Sequence, residues 1–141
     1  MNNDNQITGM AGEFLAMGKL SKKRLQVTFT VGNAKSIDIF AHNPNTEKTY
    51  TVQVKTSRKK NNFRDVKIKD IKNVDVFIFI ILNDDDFDKN EDYFIVKSSE
   101  IQKDMQKFFG TTFNNKNPPE KGTVNYRALE EYKNKWKVFD Q

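Results

Sequence analysis

Apolar positions recur along the chain with two different periods. Ile7, Met10, Phe14 and Met17 are spaced to form one stripe of a helix, predicted from about Asn5 to Ser21. From Leu25 onward, Thr28, Phe29 and Val31 read as a strand. Ser36 to Ala41 and Thr49 to Lys55 alternate apolar and polar residues, as half-buried strands do. His42-Asn43-Pro44-Asn45-Thr46-Glu47 between them is turn chemistry, so the pair predicts a hairpin. Ser57 to Asn62 is a basic, polar loop, and Val66 to Lys69 reads as a short strand. Val74 to Leu82 is almost unbroken in its apolar character and predicts a strand buried on both faces. Asp84 to Asp92 is an acidic loop, and Tyr93 to Lys97 a further strand. A helix follows from Ser98 or Ser99 to Phe109, then a loop over Gly110 to Gly122, then a last helix from about Tyr126 to Val138. No repeat or linker divides this order, so residues 1–141 are expected to form one α/β domain.

Composition narrows the chemistry. The chain is long enough to bury a core without metal or disulfide staples. It has no Cys, which excludes a disulfide scaffold, thiolate zinc sites and a Cys nucleophile. A single histidine, His42, argues against His-dependent catalysis and leaves carboxylates, amides, hydroxyls and lysine to carry any reaction. No stretch approaches the ~20 apolar residues of a membrane span, and the first residues lack the marks of a secretory signal, so a cytoplasmic protein is expected. The 24 basic residues outnumber the 19 acidic ones, for a net charge of +5. The excess is local: eight basic residues against two acids from Lys55 to Lys72 give this segment +6. Ser57, Arg58, Lys59 and Lys60 are the candidates for contacts to phosphates, with a solvated loop as the plain alternative.

The hairpin carries the densest signal. A tight turn at Asn45-Thr46 pairs Ile37 with Val54 and Ile39 with Val52, and sets Asp38 opposite Gln53. Residues two apart share a face of a strand, so Asp38, Gln53 and Lys55 come together on the other side. A carboxylate, an amide oxygen and an ammonium at one spot suit metal-assisted phosphodiester chemistry. Asp38 is the main candidate ligand for a hard cation such as Mg²⁺ and Gln53 a second; Lys55 is placed to stabilise developing negative charge. On this reading Gln53→Glu is expected to raise metal affinity.

Gly12-Glu13 in a helix, then Asp38, then Gln53-Val54-Lys55-Thr56-Ser57, resembles the PD-(D/E)XK nuclease superfamily in order and spacing. The likeness is to its QxK branch, which includes homing endonucleases and Holliday-junction-resolvase-like enzymes. It covers about Met10 to Ser57. The resemblance implies a restriction-endonuclease-like fold, a mixed central sheet flanked by helices. It also implies a Mg²⁺-dependent endonuclease acting on DNA, with Mn²⁺ as a substitute metal. Glu13, Asp38 and Lys55 match the family's active-site positions, with Glu13 a further metal ligand, while Gln53 departs from the common Glu or Asp. The alternative is a catalytically degenerate nucleic-acid-binding module on the same fold. One site cuts one strand, so a homodimer is expected for double-strand cleavage. Tyr126, Leu129, Tyr132, Trp136 and Phe139 read first as core packing and second as a dimer or base-stacking surface. The acidic run from Asp84 to Asp88 lacks the central Gly of a calcium loop and reads as a solvated hairpin cap.

Overall fold

A computed structural model describes residues 3–30 and 36–141. Val31, assigned above to a strand, lies outside the described residues. The chain opens with helix α1 (Asn3–Lys22), then strands β1 (Gln26–Phe29), β2 (Ile39–Asn43), β3 (Lys48–Ser57) and β4 (Phe63–Lys67). A single turn, α2 (Asp70–Asn73), leads to β5 (Val76–Ile81) and β6 (Asp92–Lys97). Two short helices, α3 (Ser98–Lys103) and α4 (Met105–Phe109), precede β7 (Lys121–Val124) and α5 (Tyr126–Leu129), and 3₁₀ turns at Glu130–Tyr132 and Trp136–Asp140 close the chain.

Five strands form one mixed sheet in the order β1-β2-β3-β5-β6, parallel only between β3 and β5. β4 and β7 form a separate antiparallel ribbon. The sheet divides two cores. Ala16 and Leu20 of α1 pack with Ile39, Val52, Val54, Ile78 and Ile80 on one face. Phe77, Phe79, Phe94 and Val96 meet Phe63, Ile101, Phe108 and Leu129 on the other. All six residues of β5 are buried, as its unbroken apolar run requires of a strand covered on both faces. This is the mixed α/β sheet flanked by helices expected from the sequence. Among the described residues no helix is long and apolar enough to cross a membrane.

Several elements differ from expectation for identifiable reasons. The apolar stripe of α1 is not its buried face: Ile7 is 57% exposed, and Met10 and Phe14 are each 55% exposed. The sheet instead receives Gly12, Ala16 and Leu20, and at Gly12 the lack of a side chain lets the helix come close to Thr56 of β3. The helix expected over Ser98–Phe109 breaks at Asp104, whose side chain turns back to accept from Lys107 N–H. The last helix stops after Leu129. There Lys133 bridges to Phe94, Asn134 N–H bonds Tyr93 carbonyl at 2.9 Å, and Asn134 itself takes the left-handed conformation. The chain thus gives up helix for pairing against the edge of β6. Its aromatics are spent on packing: Tyr126 on Phe94, Trp136 on Tyr93, and Phe139 fully buried. The segment is thus not one continuous helix, and its aromatics pack as core, the first of the two readings above. β7 begins in the last two residues of the stretch expected to be loop, Lys121 and Gly122, and runs past it to Val124.

Candidate active site

The hairpin register pairs Ile39 with Val52 and Asn43 with Lys48, the pairing the apolar alternation predicts. It does not extend through Ile37. The chain bends at Asp38, just before β2, so Ile37 packs in the aromatic core while Ile39 packs under α1, on the opposite face. The bend serves the carboxylate. Asp38 N–H still donates to Val52 carbonyl at 2.8 Å. Its side-chain Oδ2 then accepts Val54 N–H at 2.8 Å, standing where the carbonyl of a continuing strand would be. One oxygen is thereby anchored to β3, which holds the carboxylate at the C-terminal end of that strand. Burial pushes the Asp38 carboxyl above its ordinary range, against the Val54 N–H and the Lys55 charge, and the Asp70 charge adds to the rise.

Lys55 follows two residues after Gln53 on β3. Burial lowers its ammonium, while the charges of Asp38, Asp70 and Asp65 hold it up. Its Nζ lies 3.5 Å from Asp65 carbonyl. Asp65 sits in the irregular stretch of β4 between Phe63 and Val66, with φ of 58°, so a bulge aims this carbonyl at the amine. Glu13 comes from α1. Its carboxyl is pushed up from 4.5 to about 6, chiefly by burial and then by the charge of Asp38.

Gln53 is only 5% exposed. Its Nε2 donates to Ser36 carbonyl at 2.8 Å and to Asp70 Oδ2 at 3.0 Å. Its Oε1 is buried with no hydrogen-bond partner among the described residues. Asp70, 4% exposed in α2, also accepts from the Ser36 hydroxyl. This carboxylate escapes a reading of the sequence, where it is one acid in a Lys-rich segment. The sole hint is Gln53 itself, a neutral amide whose N–H groups, once buried, need acceptors from elsewhere.

Asp38, Gln53 and Lys55 are therefore gathered at the end of β3, with Asp70 below them and Glu13 alongside. Among the described residues no three His, Cys, Asp or Glu side chains are grouped to hold a metal ion. A cation here would take two carboxylates at most and complete its shell with amide oxygen and water. The donor set is all oxygen, which fits a hard divalent cation, and Gln53 Oε1 is a buried oxygen donor without a hydrogen-bond partner among the described residues.

The basic segment is less free than its charge suggests. Arg58 pairs with Asp84 at 2.9 Å and with Asp4 at 3.5 Å, which ties the end of β3 to the acidic loop and to α1. Ser57 Oγ donates to Lys59 carbonyl at 2.7 Å and closes a local turn. Lys59 and Lys60 remain exposed, with Lys60 Nζ 4.8 Å from the centre of the Tyr126 ring. His42 Nδ1 contacts Thr49 Oγ1 across the hairpin at 2.8 Å, a structural role.

No protein-family model matches the chain, and no curated protein does. A solved structure does: that of a bacterial homing endonuclease, I-Ssp6803I, with a TM-score of 0.50 and 16% identity over 69% of this chain and 71% of that one. The likeness is one of fold. It supports a nuclease-like architecture for the mixed sheet and its flanking helices.

Proposed function

We propose that the protein is a metal-dependent DNA endonuclease of the PD-(D/E)XK superfamily, QxK branch, hydrolysing phosphodiester bonds. The observation that carries this is the buried, unpartnered Gln53 Oε1 on the strand that also bears Lys55 and anchors the Asp38 carboxylate. Apolar residues would fill such a place at less cost, since a buried polar atom without a partner costs about 1–3 kcal/mol. The neighbour of similar fold is itself an endonuclease, which supports the same reading.

Asp38 and Gln53 would hold Mg²⁺, with Glu13 as a further oxygen ligand directly or through water. Bound there, Mg²⁺ supplies a water of lowered pKa and offsets charge on the phosphoryl oxygens. Lys55 then donates to a phosphate oxygen as negative charge develops, from a site where burial strengthens the interaction. Its position against the β4 bulge limits the side-chain freedom it must lose on doing so. Lys59 and Lys60 lie next along the chain and meet the flanking phosphates. A second reading, a nucleic-acid-binding module without catalysis, is favoured by the neutral residue at position 53. The two separate on incubation of the protein with supercoiled, linear and branched DNA, in Mg²⁺ or Mn²⁺ and in EDTA. Metal-dependent cleavage that Lys55→Ala abolishes supports the enzyme; salt-dependent binding without cleavage supports the module.

A further inference from the structure

We propose that Asp70 is a positioning residue that acts through Gln53: it fixes the amide and lends it the negative character that a carboxylate at position 53 would have had. The inference rests on the metal-site reading above and adds a residue and a role to it.

An amide offers two N–H donors on one side and one carbonyl oxygen on the other. Both partners of Gln53 Nε2, the Ser36 carbonyl and Asp70 Oδ2, are pure acceptors, at 2.8 and 3.0 Å. The reversed amide would set oxygen against both, so only one orientation is open, and it turns Oε1 away from Asp70. Asp70 is held in turn. The Ser36 hydroxyl donates to its Oδ1, so Ser36 grips the amide with its carbonyl and the carboxylate with its hydroxyl. Ser36, Asp70 and Gln53 close a ring of hydrogen bonds in which both larger side chains are more than nine-tenths buried. An amide that donates to a buried carboxylate is polarised, and its oxygen becomes the stronger ligand, as with the carboxylates that orient metal-bound histidines. Asp70 also acts electrostatically on both Asp38 and Lys55.

This reverses the expectation for Gln53→Glu. A carboxylate at position 53 would face the Asp70 carboxylate and the Ser36 carbonyl across distances now spanned by hydrogen bonds. The gain of a charged ligand is then set against the repulsion of two buried like charges. Gln53→Glu and Asp70→Asn should rescue one another, since the double substitution keeps the net charge and lets the asparagine amide at position 70 donate to the glutamate at position 53.

The test uses metal alone, without DNA. Mg²⁺ and Mn²⁺ are titrated by calorimetry into the whole metal-free protein, as wild type, Asp70→Asn, Gln53→Glu and the double variant, with thermal melts alongside. The expected results are a loss of ~10-fold or more in metal affinity for Asp70→Asn, a lowered melting temperature without gain in affinity for Gln53→Glu, and recovery of both in the double variant. A folded Asp70→Asn protein with wild-type affinity overturns the inference. So does a double variant that melts and binds no better than Gln53→Glu, a comparison that stands even where Asp70→Asn alone fails to fold. A wild-type protein that binds neither metal overturns the metal-site reading and this inference together; wild-type binding that Asp70→Asn leaves unchanged overturns this inference alone.

Discussion

Gly12→Ala tests how α1 delivers Glu13. In an exposed helix the exchange adds about 1 kcal/mol of stability, because Gly is the poorer helix former. Here a Cβ at position 12 would lie 1.7 Å from Thr56 Oγ1, 2.8 Å from Thr56 Cβ and 3.0 Å from Thr56 Cγ2. Carbon atoms in contact sit roughly 3.5–4.0 Å apart. Rotating Thr56 moves its oxygen but not its Cβ, and Thr56 is tied into the parallel ladder opposite Ile80. The helix must therefore retreat by about 1 Å, and overpacking of this kind costs about 1–3 kcal/mol. Set against the propensity gain, the net loss is on the order of 1 kcal/mol. The retreat carries Glu13 with it, and a misplacement of that size at a reacting site costs ~10²-fold in rate. Urea unfolding and plasmid nicking in Mg²⁺ read the two effects separately. Gly18→Ala is the control: it lies on the same helix with no atom within 4 Å of its added Cβ, so it should gain stability and leave the rate alone. If Gly12→Ala tracks Gly18→Ala in both assays, the close approach of α1 to β3 does not position Glu13.

Three further outcomes are expected. Asp38→Ala and Lys55→Ala should each lower cleavage by ~10²-fold or more while the protein stays folded; a folded Lys55→Ala protein that cleaves normally would remove Lys55 from the mechanism. The Glu13 carboxyl is raised from 4.5 to about 6, so the folded state binds its proton more tightly than the unfolded chain does. Its contribution to stability is complete below about pH 4.5 and is lost as pH rises through about 6. Metal-free wild type should thus lose stability relative to Glu13→Gln across that window in thermal melts, and a constant difference would refute the shift. Replacing Lys59 and Lys60 together with Ala should weaken DNA binding for every sequence and flatten the plot of log affinity against log salt by about 2. Arg58→Ala should instead loosen the acidic loop and the start of α1, because its guanidinium is already paired with Asp84 and Asp4; an unchanged slope in the lysine variant would move the DNA face elsewhere.

The parts of the fold legible in the sequence are those whose partners lie close along the chain or whose burial is complete. The pairing of β2 with β3 follows from Ile39 and Val52 about a short turn, and β5 declares itself because both of its faces are covered. Periodicity misleads where a helix does not bury its largest side chains. In α1 the stripe of Ile7, Met10 and Phe14 has the right spacing, yet the contact with the sheet needs the small residues Gly12 and Ala16. It misleads again at Tyr126 to Phe139. There a helical spacing of aromatics is met by a broken chain, because pairing with Tyr93 and Phe94 competes with helix for the same backbone groups. β7 is short, and its partner β4 is remote in sequence, so nothing local marks it as a strand.

The site divides along the same line. Gln53 and Lys55 are two apart on one strand, so strand period alone sets them on one face, while the hairpin register stops at Ile39, one residue short of Asp38, and the expected pairing of Asp38 with Gln53 is replaced by the bend. The bend at Asp38 is not legible, because it exists to place a side-chain oxygen on Val54 N–H rather than to continue a pattern. Asp70 is hidden for a different reason. A carboxylate among lysines reads as a solvated surface acid, and only the tertiary approach of α2 to β3 buries it beneath Gln53. Yet a buried glutamine cannot be neutral in its demands: two donors need two acceptors, and the one oxygen left over must look elsewhere. Both acceptors are found here, in the Ser36 carbonyl and the Asp70 carboxylate. A neutral Gln at position 53 therefore does not leave its surroundings without an acid. In this chain a negative charge stands one hydrogen bond further back, on Asp70, and the metal affinity of Gln53→Glu measured with and without Asp70→Asn tells whether the two positions share it.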